Sequence, residues 1–180
     1  MKREIFQTIE IPEGIEIKLN GNIINVKGPE GEDNKKLNLG DLEIKLDGNL
    51  LIIGCKKATK KEKKTINTMR AHIKNILEGV SKKFEYKLKI CYSHFPITAE
   101  VKGNEIIIKN FLGEKSNRKS KIIDGADVKI DKEMVTITSI NREIAGQTAA
   151  NIETATKVRK RDRRVFQDGI FMITKAGKEI

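Results

Sequence analysis

Residues 42–54 read LEIKLDGNLLIIG, and residues 126–138 read ADVKIDKEMVTIT. Both alternate apolar and polar side chains, break at a turn near Asp47 or Asp131, and resume, which is the pattern of a β-hairpin. Upstream of each lies a second matched pair. EIKLNGNIINVKGPEGE (16–32) parallels AEVKGNEIIIKNFLGE (99–114), each a hairpin ending in a Gly-Glu loop. Downstream of each comes a segment with helical spacing. A repeat of this kind dictates architecture before any single residue is considered. It predicts an α+β chain of two tandem duplicated domains, each with antiparallel β-sheets packed with one helix. The domains expected are 1–92 and 93–180, joined near Tyr92–Phe95, in the order hairpin, loop, hairpin, helix, final strand. Halves of about 90 residues bury roughly 60–68% of their unfolded surface, so neither needs a disulfide or metal staple.

The helices carry their own signposts. Thr59 followed by Glu62 reads as a capping box, and Gly79 stands where a helix stop is expected. Between them Ile66, Met69, Ile73, Ile76, Leu77 and Val80 fall three or four apart, one stripe for one sheet. Asn141 is a good N-cap for a second helix through Ile144, Ala145, Thr148, Ala149, Ile152 and Ala155. Its small buried face reads as close packing on a sheet. Extended runs, Phe84–Cys91 and Ile170–Thr174, are expected to close the first and second repeats.

Charge narrows the class of partner. Lys and Arg number 36 against 25 Asp and Glu, a net +11, and an excess of that size favours a polyanion, above all nucleic acid. The halves carry +6 and +5, but the second holds six of the eight arginines. Guanidinium is planar, weakly hydrated and able to clamp phosphate oxygens with two parallel bonds, so specific contact is expected there. The densest cluster is KVRKRDRR, residues 157–164, with six cations and one acid. Complementing a helix dipole explains one or two of these cations and not six. A second basic segment, KSNRKSK (Lys115–Lys121), reads as a flexible phosphate-contacting loop. The run KKATKKEKK (56–64) reads as a solvated face.

Other classes find little support. Cys55, Cys91, His72 and His94 are too few and too scattered for a zinc site, and each Cys is expected reduced and buried. No apolar run approaches the roughly 18 residues of a membrane span. The opening MKREIFQTIE has no apolar signal core, so a soluble cytoplasmic protein is expected. No GxSxG, GxGxxG, HExxH or CxxC is present, and Gly113-Glu114-Lys115-Ser116 puts a phosphate-repelling carboxylate where a P-loop needs none. No enzyme and no cofactor is expected. His94 has no evident partner carboxylate and reads as structural. Asp162 and Asp168 read as charge partners that orient the arginines. With six Phe, two Tyr and no Trp, and no RNP-type motif, single-strand stacking sheets are disfavoured. Folded RNA, recognised by shape and phosphate, is the expected partner. The alternative is a free basic module that binds acidic proteins.

The segments HFP (94–96), NFLGEK (110–115), GQTAANIE (146–153) and RDRRVFQDGI (161–170) closely resemble the archaeal and eukaryotic branch of the large-subunit ribosomal protein six family. The resemblance runs over essentially the whole chain, in order, and includes the two-repeat layout. It implies a structural constituent of the large ribosomal subunit that binds large-subunit rRNA mainly through the second domain. It also implies neighbouring ribosomal proteins, and a place near the stalk base and the sarcin–ricin loop, where translational GTPases dock. Carried across by motif, the rRNA-facing candidates are Lys157, Arg159, Lys160, Arg161, Arg163, Arg164, Gln167 and Asp168, with Lys115, Arg118, Lys119 and Lys121 around NFLGEK. The chain departs from the family at Ser139 and Asn141, often Gly and Asp, and at Phe171, often Tyr.

Overall fold

The computed structural model describes residues 3–40 and 42–180. The chain divides into two compact units, the first ending at Lys83 and the second running Phe84–Ile180. The first contains β1 (Arg3–Glu10), β2 (Glu16–Asn20), β3 (Ile23–Gly28), β4 (Gly31–Lys36), β5 (Glu43–Asp47), β6 (Leu50–Ala58) and α1 (Lys60–Ser81). The second contains β7 (Phe84–Cys91), β8 (Thr98–Lys102), β9 (Glu105–Lys109), a 3₁₀ turn (Phe111–Gly113), β10 (Arg118–Lys121), β11 (Asp127–Asp131), β12 (Met134–Ser139), α2 (Arg142–Ala155), β13 (Gly169–Lys175) and β14 (Lys178–Glu179).

In the first unit the strands form sheets ordered β1-β6-β5 and β2-β3-β4, all neighbours antiparallel. Alternation explains the inward faces. Ile24 and Val26 of β3 and Leu51 and Ile53 of β6 are buried, while their sequence neighbours face away. The apolar stripe of α1 covers both sheets, with Ile66, Ile73 and Val80 fully buried. Each such side chain contributes roughly 1.5–3 kcal/mol by leaving water. The capping box is formed: Thr59 accepts from the Lys61 N–H at 3.3 Å, and the Glu62 carboxylate takes the Thr59 N–H at 2.8 Å as well as its hydroxyl. Gly79 is not the stop. It lies buried inside the last turn, and the helix ends where Lys82 turns extended and donates its N–H to the Glu78 carbonyl at 2.8 Å.

The second unit repeats this plan with sheets ordered β10-β9-β8 and β11-β12-β7-β13-β14, covered by α2. Both pairs of hairpins anticipated by the repeat are present. The duplication is of α+β units, but its phase differs from the expected one. Phe84–Cys91 does not close the first unit. As β7 it pairs with β12 and β13 in the middle of the second unit's larger sheet, just as β1 pairs with β6 in the first. Each unit therefore opens with a strand that joins the later hairpin, and the break falls at Lys83/Phe84 rather than at Tyr92–Phe95. The physical reason is burial: Phe84, Tyr86, Leu88 and Ile90 alternate into the core formed with Val135, Ile137, Ala149 and Ile152. The hairpin β13–β14 lies on the other side of β7.

Asn141 caps α2, its Oδ1 accepting the Glu143 and Ile144 N–H groups at 2.9 and 3.4 Å. Ser139 fits its turn without glycine: its hydroxyl donates to the Gly125 carbonyl at 2.7 Å and accepts the Asn141 N–H at 3.2 Å. Ala145 and Ala149 are fully buried, and the helix sits against β10, β12, β13 and β7. Cys55 and Cys91 are free but only half-buried. No helix among the described residues is long and apolar enough to cross a membrane.

Candidate nucleic-acid interface

The chain leaves α2 at Thr156 and returns to the sheet at Gly169, so the arginine-rich segment is a loop between a helix and a strand of one compact unit. Buried polar contacts pin both of its ends. At the start, Thr156 is 2% exposed; its hydroxyl donates to the Glu153 carbonyl at 3.2 Å and accepts the Ile170 N–H at 2.9 Å. This ties the end of α2 to the beginning of β13.

Arg118 fastens the same corner from β10. It donates through Nη1 to the carbonyls of Ala155 (2.8 Å) and Lys157 (3.4 Å), and through Nε and Nη2 to the Glu114 carboxylate at 2.8 and 2.6 Å. Its guanidinium carbon also lies 4.1 Å from the Phe111 ring centroid. These hydrogen bonds hold the Glu114 carboxyl below its usual range; burial opposes them, and the charges of Arg118 and Arg161 add to them. The Arg118 bond to the Lys157 carbonyl places the 114–118 turn beside the 157–164 loop. Arg118 thus acts as a helix C-terminal cap, its guanidinium engaged within the unit rather than standing free. Lys115–Lys121 is also less of a loop than expected. Residues 118–121 pair with Ile108–Glu105 of β9, and Ser120 is buried on the inner side. Lys119 forms a surface pair with Glu105 at 3.3 Å; Lys115 and Lys121 are exposed.

At the far end of the loop stands Asp168, with no exposed surface. Its Oδ1 accepts the Ser93 hydroxyl at 2.9 Å and meets His94 Nδ1 at 2.9 Å, while Oδ2 accepts the His94 N–H at 3.2 Å. Burial alone pushes this carboxyl upward, but the hydrogen bonds from His94 and then Ser93 outweigh it and bring the pKa down to about 2. Ser93 and His94 are thus the partners of the buried Asp168 carboxylate, and no arginine among the described residues pairs with it, unlike the arginine-orienting role expected from sequence. His94, expected to lack a carboxylate, has one. Ser93 lies 3.1 Å from the same Nδ1 that meets Asp168. A proton relay needs the nucleophile and the carboxylate on opposite ring nitrogens, so this cluster is a structural tie.

The tie reaches the arginines through rings. His94 stacks on Phe166 with centroids 4.8 Å apart and planes 22° from parallel, and Arg161 lies 4.8 Å from the Phe166 centroid. Between the two pinned ends, Asp162 shapes the turn. Its Oδ1 accepts the Arg164 N–H at 3.0 Å, and its carbonyl accepts the Phe166 N–H at 2.9 Å. Asp162 does act as the expected arginine partner, though only at 3.5 Å from an Arg164 side chain that is 93% exposed. Gln167 donates to the Arg164 carbonyl at 3.1 Å. Lys160 takes a left-handed backbone (φ 58°), a strained state for a residue with a Cβ.

Lys157, Arg159, Lys160, Arg161, Arg163 and Arg164 are all exposed. Among the described residues, the side chains of Lys157, Arg159, Lys160 and Arg163 make no hydrogen bond or ion pair within the chain. The arrangement is a firmly anchored loop that presents cations outward in excess of any internal need. Sequence reading missed Ser93, Glu114, Thr156 and Phe166 as its supports. Only Ser93, next to a histidine, offered even a weak signal.

The family model for ribosomal protein L6 matches residues 11–83 and again 95–169. The chain belongs to the ribosomal protein L6 family. The double match mirrors the two structural units and passes over β7. Curated relatives extend along nearly the whole chain. One from Methanobrevibacter smithii, named large ribosomal subunit protein uL6, is 46% identical over 171 residues, covering 95% of this chain and 96% of its own length. Another of the same name from Methanococcus vannielii is 44% identical over 174 residues, covering 97% and 96%. The anchored arginine loop is thus a feature of an L6-family second unit.

Proposed function

We propose that this L6-family chain is a structural, non-catalytic constituent of the large ribosomal subunit in the cytoplasm, and that its second unit binds large-subunit rRNA. The ribosomal names of its relatives support the assembly. The observation that carries the mechanism is the outward set of cations on a loop fixed at both ends. Lys157, Arg159, Lys160, Arg161, Arg163 and Arg164 neutralise phosphates where RNA segments crowd together. Lys115, Lys119 and Lys121 add a second contact along the same unit, and Gln167 lies at the loop's edge. Fixing the loop in advance matters because ordering a flexible one would cost conformational entropy on binding. Following the family resemblance, we place the bound RNA near the stalk base, in the region where translational GTPases dock, with neighbouring ribosomal proteins around it.

Arg163→Ala combined with Arg164→Ala tests the reading. Binding of a folded large-subunit rRNA fragment is measured across a salt series. Each phosphate that is no longer neutralised lowers the slope of log K against log salt by about 0.7–0.9 on nucleic-acid standards. The double variant is expected to bind more weakly and with a flatter slope; unchanged affinity and slope would overturn the mechanism.

A further inference from the structure

Beside the arginine loop lies an open pocket of about 720 Å³, lined in part by Glu153, Lys157, Val158, Arg163 and Phe171. That size falls within the roughly 300–1,000 Å³ of small-ligand sites. The composition is divided in a particular way. Lys157 and Arg163 supply positive charge, Val158 and Phe171 supply apolar surface, and Glu153 supplies an acceptor.

Phe171 is the unusual member. Its neighbours Gly169 and Ile170 are buried, whereas Phe171 is 40% exposed. Its ring lies over Gly169, where a Cβ would come within 3.0–3.2 Å of it. The bare glycine lets an exposed aromatic ring lie close on the strand. Such rings serve as platforms for unstacked nucleic-acid bases. Glu153, half-buried on α2, has no side-chain partner among the described residues. A half-buried carboxylate without an internal partner, set beside cations, offers its oxygens as acceptors to a ligand's hydrogen-bond donors. Guanine is the base that offers two adjacent donors, the ring N1–H and the exocyclic amino group.

We infer that this pocket receives one unstacked guanine nucleotide of the bound RNA. The base lies against Phe171 and Val158, its Watson–Crick edge donates to Glu153, and its phosphate meets Lys157 and Arg163. The inference rests on the rRNA-binding reading and adds base recognition to a surface that otherwise contacts only backbone.

The test is a nuclear magnetic resonance titration of the ¹⁵N-labelled full chain with guanosine 5′-monophosphate, uridine 5′-monophosphate and inorganic phosphate. The guanine nucleotide is expected to shift amides at Thr154, Val158 and Phe171 and to bind at least fivefold more tightly than phosphate. Phosphate should move only the Lys157 and Arg163 region. Glu153→Gln should remove the preference for the guanine over the uracil nucleotide. Thr154→Trp, at an exposed position, should block the base-dependent shifts while keeping the phosphate ones. The inference is overturned if all three ligands shift the same amides with equal affinity, or if none shifts any at 10-millimolar concentrations (roughly the weak limit for a site of this kind). Binding of the folded rRNA fragment is measured in parallel. If that fragment binds with the expected salt slope and the nucleotides fail, the base pocket is lost and the functional reading stands. If the nucleotides bind and the fragment does not, the functional reading fails.

Discussion

The guanidinium of Arg118 closes the C-terminal end of α2 by donating to the Ala155 carbonyl 2.8 Å away. The same side chain grips Glu114 with two further bonds. Helix termini leave carbonyl groups without partners, and here a basic residue from a neighbouring strand supplies one. Hydrogen bonds to charged groups contribute about 1.5–3 kcal/mol each. Arg118→Ala is therefore expected to destabilise the second unit by roughly 2–3 kcal/mol, visible as a lower urea midpoint. Its effect on RNA affinity should come through the loosened loop, so it should leave the salt slope nearly unchanged.

Asp168 makes stability depend on acid. Its carboxyl titrates at about 2 in the folded chain against 3.8 ordinarily. A depressed folded value means that stabilisation is complete above about pH 4 and disappears as pH falls from there through 2; the shift corresponds to about 2 kcal/mol. Asp168→Asn should remove that acid-dependent component and lower stability at neutral pH. Urea midpoints measured from pH 2 to 6 on both proteins check it. Parallel curves for the two would contradict the role assigned to this carboxylate.

In the first unit, Gly54 sits where β6 meets β1, and a Cβ there would run into the Phe6 ring and the Ile5 carbonyl oxygen. Backbone cannot yield as a flexible side chain can. Gly54→Ala should cost about 1–3 kcal/mol. Hydrogen exchange should show the loss in β1, β5 and β6, and not in the 157–167 loop.

Thr59→Ala removes the hydroxyl half of the capping box on α1. A loss of about 1 kcal/mol is expected, read from thermal or urea unfolding, whereas Thr59→Ser should restore most of it.

Much of this was visible in the residues because the signals were local. Alternation in LEIKLDGNLLIIG and ADVKIDKEMVTIT gave both hairpins, Thr59 and Asn141 marked the two helix starts, and density of arginine singled out the 157–164 loop. What escaped depends on distant partners. FEYKLKIC announces a strand, but nothing local says that it joins the sheet ahead of it in sequence. The segments GEDNKK of β4 and RKSK of β10 are polar strands at sheet edges, where no apolar alternation is needed. Asp168 and His94 lie 74 positions apart, so their pairing, and with it the burial of an apparent surface acid, has no local signature. The same holds for Arg118, which composition alone could not separate from its exposed neighbours.

The most direct measurement is a residue-level crosslink map of the chain within purified large subunits. Crosslinks to rRNA should concentrate at residues 157–167, with a weaker set at 115–121, and should fade in the Arg163→Ala, Arg164→Ala variant. Crosslinks from that loop to protein alone, or rRNA crosslinks confined to the first unit, would contradict the account.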